Sequence, residues 1–146
     1  MAVKKYEELT FSDDFMFCKV LQNDPALCRE LLELILDKEI GDIVTVNRQY
    51  PIEITADRRG IRFDVYAKDD HSIIYDIEMQ NALRDDLAKR SRYVQGLMDL
   101  EAMERGAHFR ELSASYVIFI CRFNILPEAG RHRNMEGNLL TQSLLI

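Results

Sequence analysis

The feature that most constrains this chain is a pair of short segments in which polar and apolar side chains alternate. They are residues 60–68 and residues 72–80, and the turn-prone sequence KDDHS joins them. This alternation is typical of strands, and the short polar connection predicts that the two strands pair antiparallel as a hairpin. A chain of 146 residues with such a hairpin folds most simply as one domain built around a sheet.

Each predicted strand carries acidic residues on its polar side. In the first strand, alternation places Arg62, Asp64, Tyr66 and Lys68 on one face, and Ile61, Phe63, Val65 and Ala67 on the other. In the second strand, Asp76, Glu78, Gln80 and Ile74 lie opposite the apolar set Ile73, Tyr75, Ile77 and Met79. The hairpin can therefore bring Asp64 and Glu78 close together on one face.

A helix is predicted over residues 25–39, where leucine and isoleucine recur at helical spacing. Asp24 is suited to cap its N-terminus, and Pro25 is favoured at the first helical position. Gly41 is expected to end it.

Further elements lie on both sides of this helix and of the hairpin. Residues 11–21 have a helical pattern with Ser12 as the expected N-cap, and residues 82–105 return to a helical pattern after the hairpin. Residues 42–49 read as a β-branched strand, and residues 115–123 form a continuous apolar run suited to the inside of a sheet. The order predicts an α/β fold in which helices flank a mixed sheet.

The composition narrows the class of protein. The longest apolar runs are far shorter than the roughly 20 residues of a membrane span, and the N-terminus lacks the apolar region of a signal peptide. Three cysteines without a CxxC pair predict reduced, buried thiols in a cytoplasmic protein. The net charge of −6 weakens the case for nucleic-acid binding, which depends on lysine and arginine.

Two readings of the acidic residues remain open at this point. One is a hairpin with a solvated face, in which the alternating polar residues have no special role. The other is a metal site, because two carboxylates on a covered face repel each other and a divalent cation removes that conflict. Magnesium accepts one or two carboxylates together with water and phosphate oxygens.

The sequence blocks resemble a known family. They are LTFSDDFMFCKVLQNDPALCRELLELIL, GIRFDVYAKD, IYDIEMQ, LAKRSRYVQGLMD and SYVIFICRF, in that order. They are similar to blocks of the bacterial recombination-promoting nuclease and transposase family, within the PD-(D/E)XK nuclease superfamily. The resemblance implies a restriction-endonuclease-like αβββαβ core over residues 1–124. Residues 125–146 depart from the family and are expected to be a divergent or shortened tail.

The resemblance also implies a site. Asp64 and Glu78 would bind Mg²⁺ or Mn²⁺ together with the backbone carbonyl of Met79, and Gln80 stands in the place of the superfamily's lysine. A glutamine cannot act as a base, but it can position water. Glu30 or Glu33 is a further candidate for the metal site.

The implied partner is DNA, with no membrane association. The residues expected to bind its phosphates are Arg62, Lys89, Arg90, Arg92 and Tyr93. A local basic cluster of this kind can bind phosphates despite a negative total charge. A sheet with an open edge and a short apolar tail is consistent with a homodimer.

Three functions stay in competition. The first is a magnesium-dependent DNA endonuclease linked to recombination or mobile elements. The second is a nuclease-fold module that binds DNA or a protein partner and has little or no catalysis. The third is a structural protein without a metal.

Overall fold

The computed structural model describes residues 6–11, 13–52 and 61–123. After a short 3-10 turn at Tyr6–Glu8, the elements are α1 (Asp14–Asn23), α2 (Pro25–Leu36), β1 (Ile43–Ile52), β2 (Ile61–Asp69), β3 (Ile74–Gln80) and α3 (Leu87–Ala102). A second 3-10 turn, Phe109–Glu111, leads to β4 (Ser115–Cys121). The predicted α/β fold class is confirmed.

The four described strands form one sheet in the order β1-β2-β3-β4. The first three strands form an antiparallel meander, and β4 pairs parallel to β3 after the crossover through α3. This is the mixed sheet that the order of elements predicts, and it places β3 between two neighbours, where both of its edges are hydrogen-bonded.

The observed ends of the helices agree in part with those predicted from the sequence. The Asp24 side chain accepts a hydrogen bond from the Leu27 N–H at 3.0 Å, as expected of an N-cap. Helix α2 ends at Leu36, earlier than predicted, because Asp37 takes the left-handed conformation (φ 53°) that Gly41 was expected to supply. Asp13 precedes the first residue of α1, and the predicted N-cap Ser12 lies outside the described residues.

Two hydrophobic clusters pack on the two sides of the sheet. The first joins α1 and α2 to the sheet and includes Phe17, Leu21, Leu32, Val65, Ala67, Tyr75, Ile77 and Ile118. The second joins α3 to the sheet and includes Phe63, Ile74, Val94, Leu97, Met98, Val117 and Phe119. On the α3 side of the sheet, Asp76 and Glu78 of β3 are buried, which disfavours the hypothesis that the polar face of the hairpin is simply solvated.

The prediction that successive side chains alternate strictly between the two faces of the sheet was wrong for the start of β2. Ile61 and Phe63 pack with the α3-side cluster, whereas Val65 and Ala67 pack on the α1 and α2 side. The change falls at Asp64, where β2 leaves its pairing with β3. A strand without a neighbour on one edge can twist further than a paired one.

None of the described helices is long and apolar enough to cross a bilayer. The predicted tail, residues 125–146, lies outside the described residues, so the boundary at residue 124 stays a prediction.

Candidate active site

The hairpin of β2 and β3 opens into a fork at its end. Its last paired residues are Val65 and Ile77, although both strands continue beyond them. The next residues are joined through side chains: the Met79 N–H donates to Asp64 Oδ2 at 3.1 Å, and the Asp64 N–H donates to Glu78 Oε1 at 3.3 Å. The structure thus brings Asp64 and Glu78 together, with carboxylates in the place of ladder carbonyls.

Both acids of the fork are held in unfavourable surroundings for a negative charge. Burial raises the pKa of Asp64, and the hydrogen bond from the Met79 N–H opposes that rise. Burial and then the nearby Asp64 charge raise the pKa of Glu78 from 4.5 to about 7. Strongly shifted carboxyl groups of this kind are typical of functional sites.

Arg90 of α3 reaches the fork from the side of the sheet that α3 covers. Its Nη2 donates to Glu78 Oε2 at 2.6 Å, and its guanidinium carbon lies 5.5 Å from the centre of the Phe119 ring. The Glu78 side chain is 4% exposed and the Arg90 side chain 29% exposed, so the pair is largely buried. Arg90 therefore offsets part of the negative charge of the fork.

Gln80 lies at the end of β3 and is buried. Its Nε2 donates to the carbonyl oxygen of Ala82 at 2.6 Å, which holds the amide in the turn that follows the strand. Met79, between Glu78 and Gln80, packs its side chain into the α1 and α2 side of the core.

A groove of about 530 Å³ lies next to Arg90. Its lining consists of four basic residues, one acid, one aromatic and one aliphatic residue: Arg62, Arg84, Lys89, Arg90, Asp86, Tyr93 and Ile61. It brings together four of the five predicted phosphate-binding residues. Arg92 is exposed but does not line the groove.

Arg84 is a groove residue that the sequence reading missed. Its Nε and Nη2 donate to the two Asp86 oxygens at 3.0 and 3.1 Å, which fixes it in the loop before α3. Arg90 and Arg92 of α3 lie on nearly opposite sides of the helix, because they are two residues apart. Arg90 therefore lines the groove, whereas Arg92 does not.

The family model described as "PD-(D/E)XK nuclease family transposase" matches residues 12–141, so the match extends past residue 124 into the segment that was expected to depart from the family. This chain belongs to that family. A nuclease or transposase-like role follows from the membership, and PD-(D/E)XK nucleases generally use divalent metals. Searches of curated proteins and of solved structures returned no match.

The fork of this PD-(D/E)XK protein fits a divalent cation by its donor set. Asp64 and Glu78 place hard oxygen ligands at one point, and the Arg90 guanidinium pairs with one oxygen of Glu78. Asp76 adds a third buried acid: its side chain is 0% exposed, and neither carboxylate oxygen has a hydrogen-bond donor among the described residues. Burial raises the pKa of this carboxyl group as well, so a divalent cation bound here would favour the ionised forms of all three acids.

The helix residue whose carboxylate lies near the fork is Asp14, whereas Glu30 or Glu33 was expected. Asp14 at the start of α1 accepts a hydrogen bond from Asn81 Nδ2 at 2.9 Å, and its charge contributes to the raised pKa of Asp64. Glu33 instead accepts from Arg29 Nε and from the Ile40 N–H, at the far end of α2. Glu30 is exposed on the surface of α2.

A second acidic group lies at the β2–β3 turn of this family member. Ligand atoms of Asp69, Asp70 and His71 lie within 4.8 Å of one another. The buried Asp69 carboxylate already accepts from the N–H groups of His71 and Ile73 at 3.0 and 2.8 Å and from the Tyr75 hydroxyl at 2.9 Å. Those bonds account for Asp69 as the residue that closes the turn, without a metal.

Proposed function

We propose that this chain is a divalent-metal-dependent endonuclease that hydrolyses phosphodiester bonds of DNA. The observation that carries the proposal is the fork, in which Asp64 and Glu78 converge where β2 and β3 separate. Buried carboxylates with raised pKa values are costly to keep ionised, so their convergence is explained by a cation that favours the charged forms.

Asp64, Glu78 and the backbone carbonyl of Met79 would hold Mg²⁺ or Mn²⁺. When bound, such an ion stabilises the charge of the phosphate and lowers the pKa of water. Gln80 donates its amide N–H to the Ala82 carbonyl, so its amide oxygen is the atom that would accept a hydrogen bond from the attacking water.

The basic groove would bind the phosphates of the substrate. Arg62, Lys89 and Arg90 supply positive charge beside the fork, and Tyr93 supplies an exposed ring that is 44% accessible. Arg92, on another side of α3, would contact the DNA backbone outside the groove. A groove of this charge favours phosphate locally even though the chain carries a net charge of −6.

The biological setting that we propose is recombination or the movement of mobile elements in bacteria. The transposase in the family description supports it. The free, buried cysteines Cys18, Cys28 and Cys121 are consistent with a cytoplasmic protein. A homodimer stays part of the proposal, and light scattering that shows a strict monomer would remove it.

A second candidate is a module that binds DNA or a protein partner without cutting. Two features favour this candidate. Arg90 occupies one oxygen of Glu78, and Gln80 stands where a lysine would supply positive charge. This candidate predicts DNA binding without cleavage at any concentration of Mg²⁺ or Mn²⁺.

Cleavage of supercoiled plasmid separates the two candidates. The parent chain, Asp64→Asn and Glu78→Gln are compared with Mg²⁺, with Mn²⁺ and with EDTA, and Glu104→Gln serves as the exposed control after α3. We expect cutting by the parent and the control only with metal, and loss of cutting in both fork variants. Undiminished cutting by Asp64→Asn would refute the nuclease site.

A further inference from the structure

Asp76 is an acid that neither the packing nor the fork contacts explain. It lies in the middle of β3, opposite Tyr66 on β2 and Val117 on β4, with its side chain fully buried. Neither of its oxygens has a hydrogen-bond donor among the described residues. The carboxyl groups of Asp76 and Glu78 lie side by side, and a hydrogen bond between them requires that one of them carries a proton.

Asp69 in the same hairpin shows what a structural buried acid looks like. It is 1% exposed, and its two oxygens accept three hydrogen bonds. An ionised carboxylate without such donors costs far more than an apolar residue of similar size in the same place. Packing alone therefore gives no reason for an acid at position 76.

The position of Asp76 connects it to the fork. It precedes Glu78 by two residues on a strand, so both side chains point to the α3 side of the sheet, with Cα atoms roughly 6–7 Å apart. The charges of Glu78, Asp64 and Arg90 all act on it. Asp64, Asp76 and Glu78 thus lie near the same Arg90 guanidinium, and Arg62 acts on Asp64 as well.

We propose that Asp76 is a third acid of the metal centre, which accepts hydrogen bonds from water molecules on the cation held by Asp64 and Glu78. The inference rests on the proposed metal-dependent function. Magnesium and manganese keep several waters when few carboxylates bind them, and groups that accept from those waters raise the affinity of the site. Asp76 is then a positioning residue, because it acts through the cation and its waters.

The test measures binding of Mn²⁺ to the metal-free full chain by calorimetry, together with the melting temperature with and without Mn²⁺. Asp76→Asn is compared with the parent, with Asp64→Asn and with Asp69→Asn, the matched buried acid of the turn. We expect Asp76→Asn to weaken Mn²⁺ binding about 10–100-fold, the range found for groups that support metal ligands. We also expect it to melt at or above the parent's temperature without metal, since it removes one of three carboxyl groups that crowd a buried place.

The outcomes are distinct. If Asp64→Asn loses Mn²⁺ binding and Asp76→Asn binds as tightly as the parent, Asp76 has no part in the centre, whereas the proposed function stands. If Asp69→Asn alone weakens binding, the ion binds at the turn and the inference is wrong. A parent chain that does not bind Mn²⁺ refutes both. Should Asp76→Asn fail to fold, Asp76→Ser provides the same comparison with a smaller uncharged side chain.

Discussion

Arg90 Nη2 and Glu78 Oε2 lie 2.6 Å apart, in an ion pair that links α3 to the central strand β3. The pair sits at the fork where Asp64 replaces a backbone partner of Met79. One arginine therefore contributes both to the packing of the helix on the sheet and to the charge balance of the site.

Arg90→Gln is expected to destabilise the protein in a pH-dependent way. It leaves Glu78 buried without its cation, which costs roughly 2–3 kcal/mol of unfolding free energy when Glu78 is ionised, given that Arg90 is partly exposed. Below the Glu78 pKa of about 7 the loss should be smaller, because a neutral carboxyl group does not need a cation. Urea unfolding of the parent and the variant at pH values below and above that pKa measures this loss of unfolding free energy.

Arg84→Gln is the matched control, since the Arg84–Asp86 pair is exposed and ion pairs in water contribute little to stability. Equal losses for Arg90→Gln at both pH values would contradict the assigned role of the pair.

The metal-free protein is expected to lose stability as the pH rises. The folded state keeps a proton on Glu78 up to about pH 7, whereas the unfolded chain releases it near 4.5. The folded state thus binds more protons between these values, and the free energy of unfolding falls there by on the order of 3 kcal/mol. The raised pKa values of Asp64 and Asp76 act in the same direction.

Glu78→Gln should flatten this pH dependence, and Glu104→Gln should retain it. Chemical unfolding in EDTA across the range tests the comparison. A parent protein whose stability increases with pH over this range would show that the fork acids are not destabilised by burial.

Asp69 is expected to tolerate asparagine better than alanine. Asparagine can still accept from the His71 and Ile73 N–H groups and can donate to the Tyr75 oxygen, so we expect a loss of about 1 kcal/mol. Alanine leaves buried donors without an acceptor and should cost roughly 3 kcal/mol. Thermal and urea unfolding establish the order, and equal stability of Asp69→Ala and the parent would exclude the structural role.

The groove predicts unequal contributions of basic residues to DNA binding. Arg62→Gln and Lys89→Gln should each weaken binding of duplex DNA and lower the salt slope by about 1. Arg92→Gln, which changes a residue outside the groove, should have a smaller effect. Fluorescence anisotropy in EDTA at several salt concentrations measures both quantities, with Arg110→Gln in the second 3-10 turn as the control. A larger effect of Arg92→Gln would place the DNA elsewhere on α3.

The sequence by itself determined the elements and much of the fold. Asp24 and Pro25 mark the start of α2 because capping is a local property of a few residues. The predicted hairpin also placed Asp64 and Glu78 close together, because a short turn sets the register of two paired strands even where strict alternation fails. The sequence alone therefore predicted that these two acids lie close together.

Only the tertiary structure decided what surrounds those acids. Alternation places Asp76 and Glu78 on one side, but it cannot tell that α3 covers that side or that Arg90 reaches Glu78. In the same way, Glu33 is bound to Arg29 while Asp14 acts on Asp64, because contacts between distant elements depend on how the helices pack. Local pattern specifies which face a residue takes, whereas the burial and charge that give the site its chemistry come from the elements packed against that face.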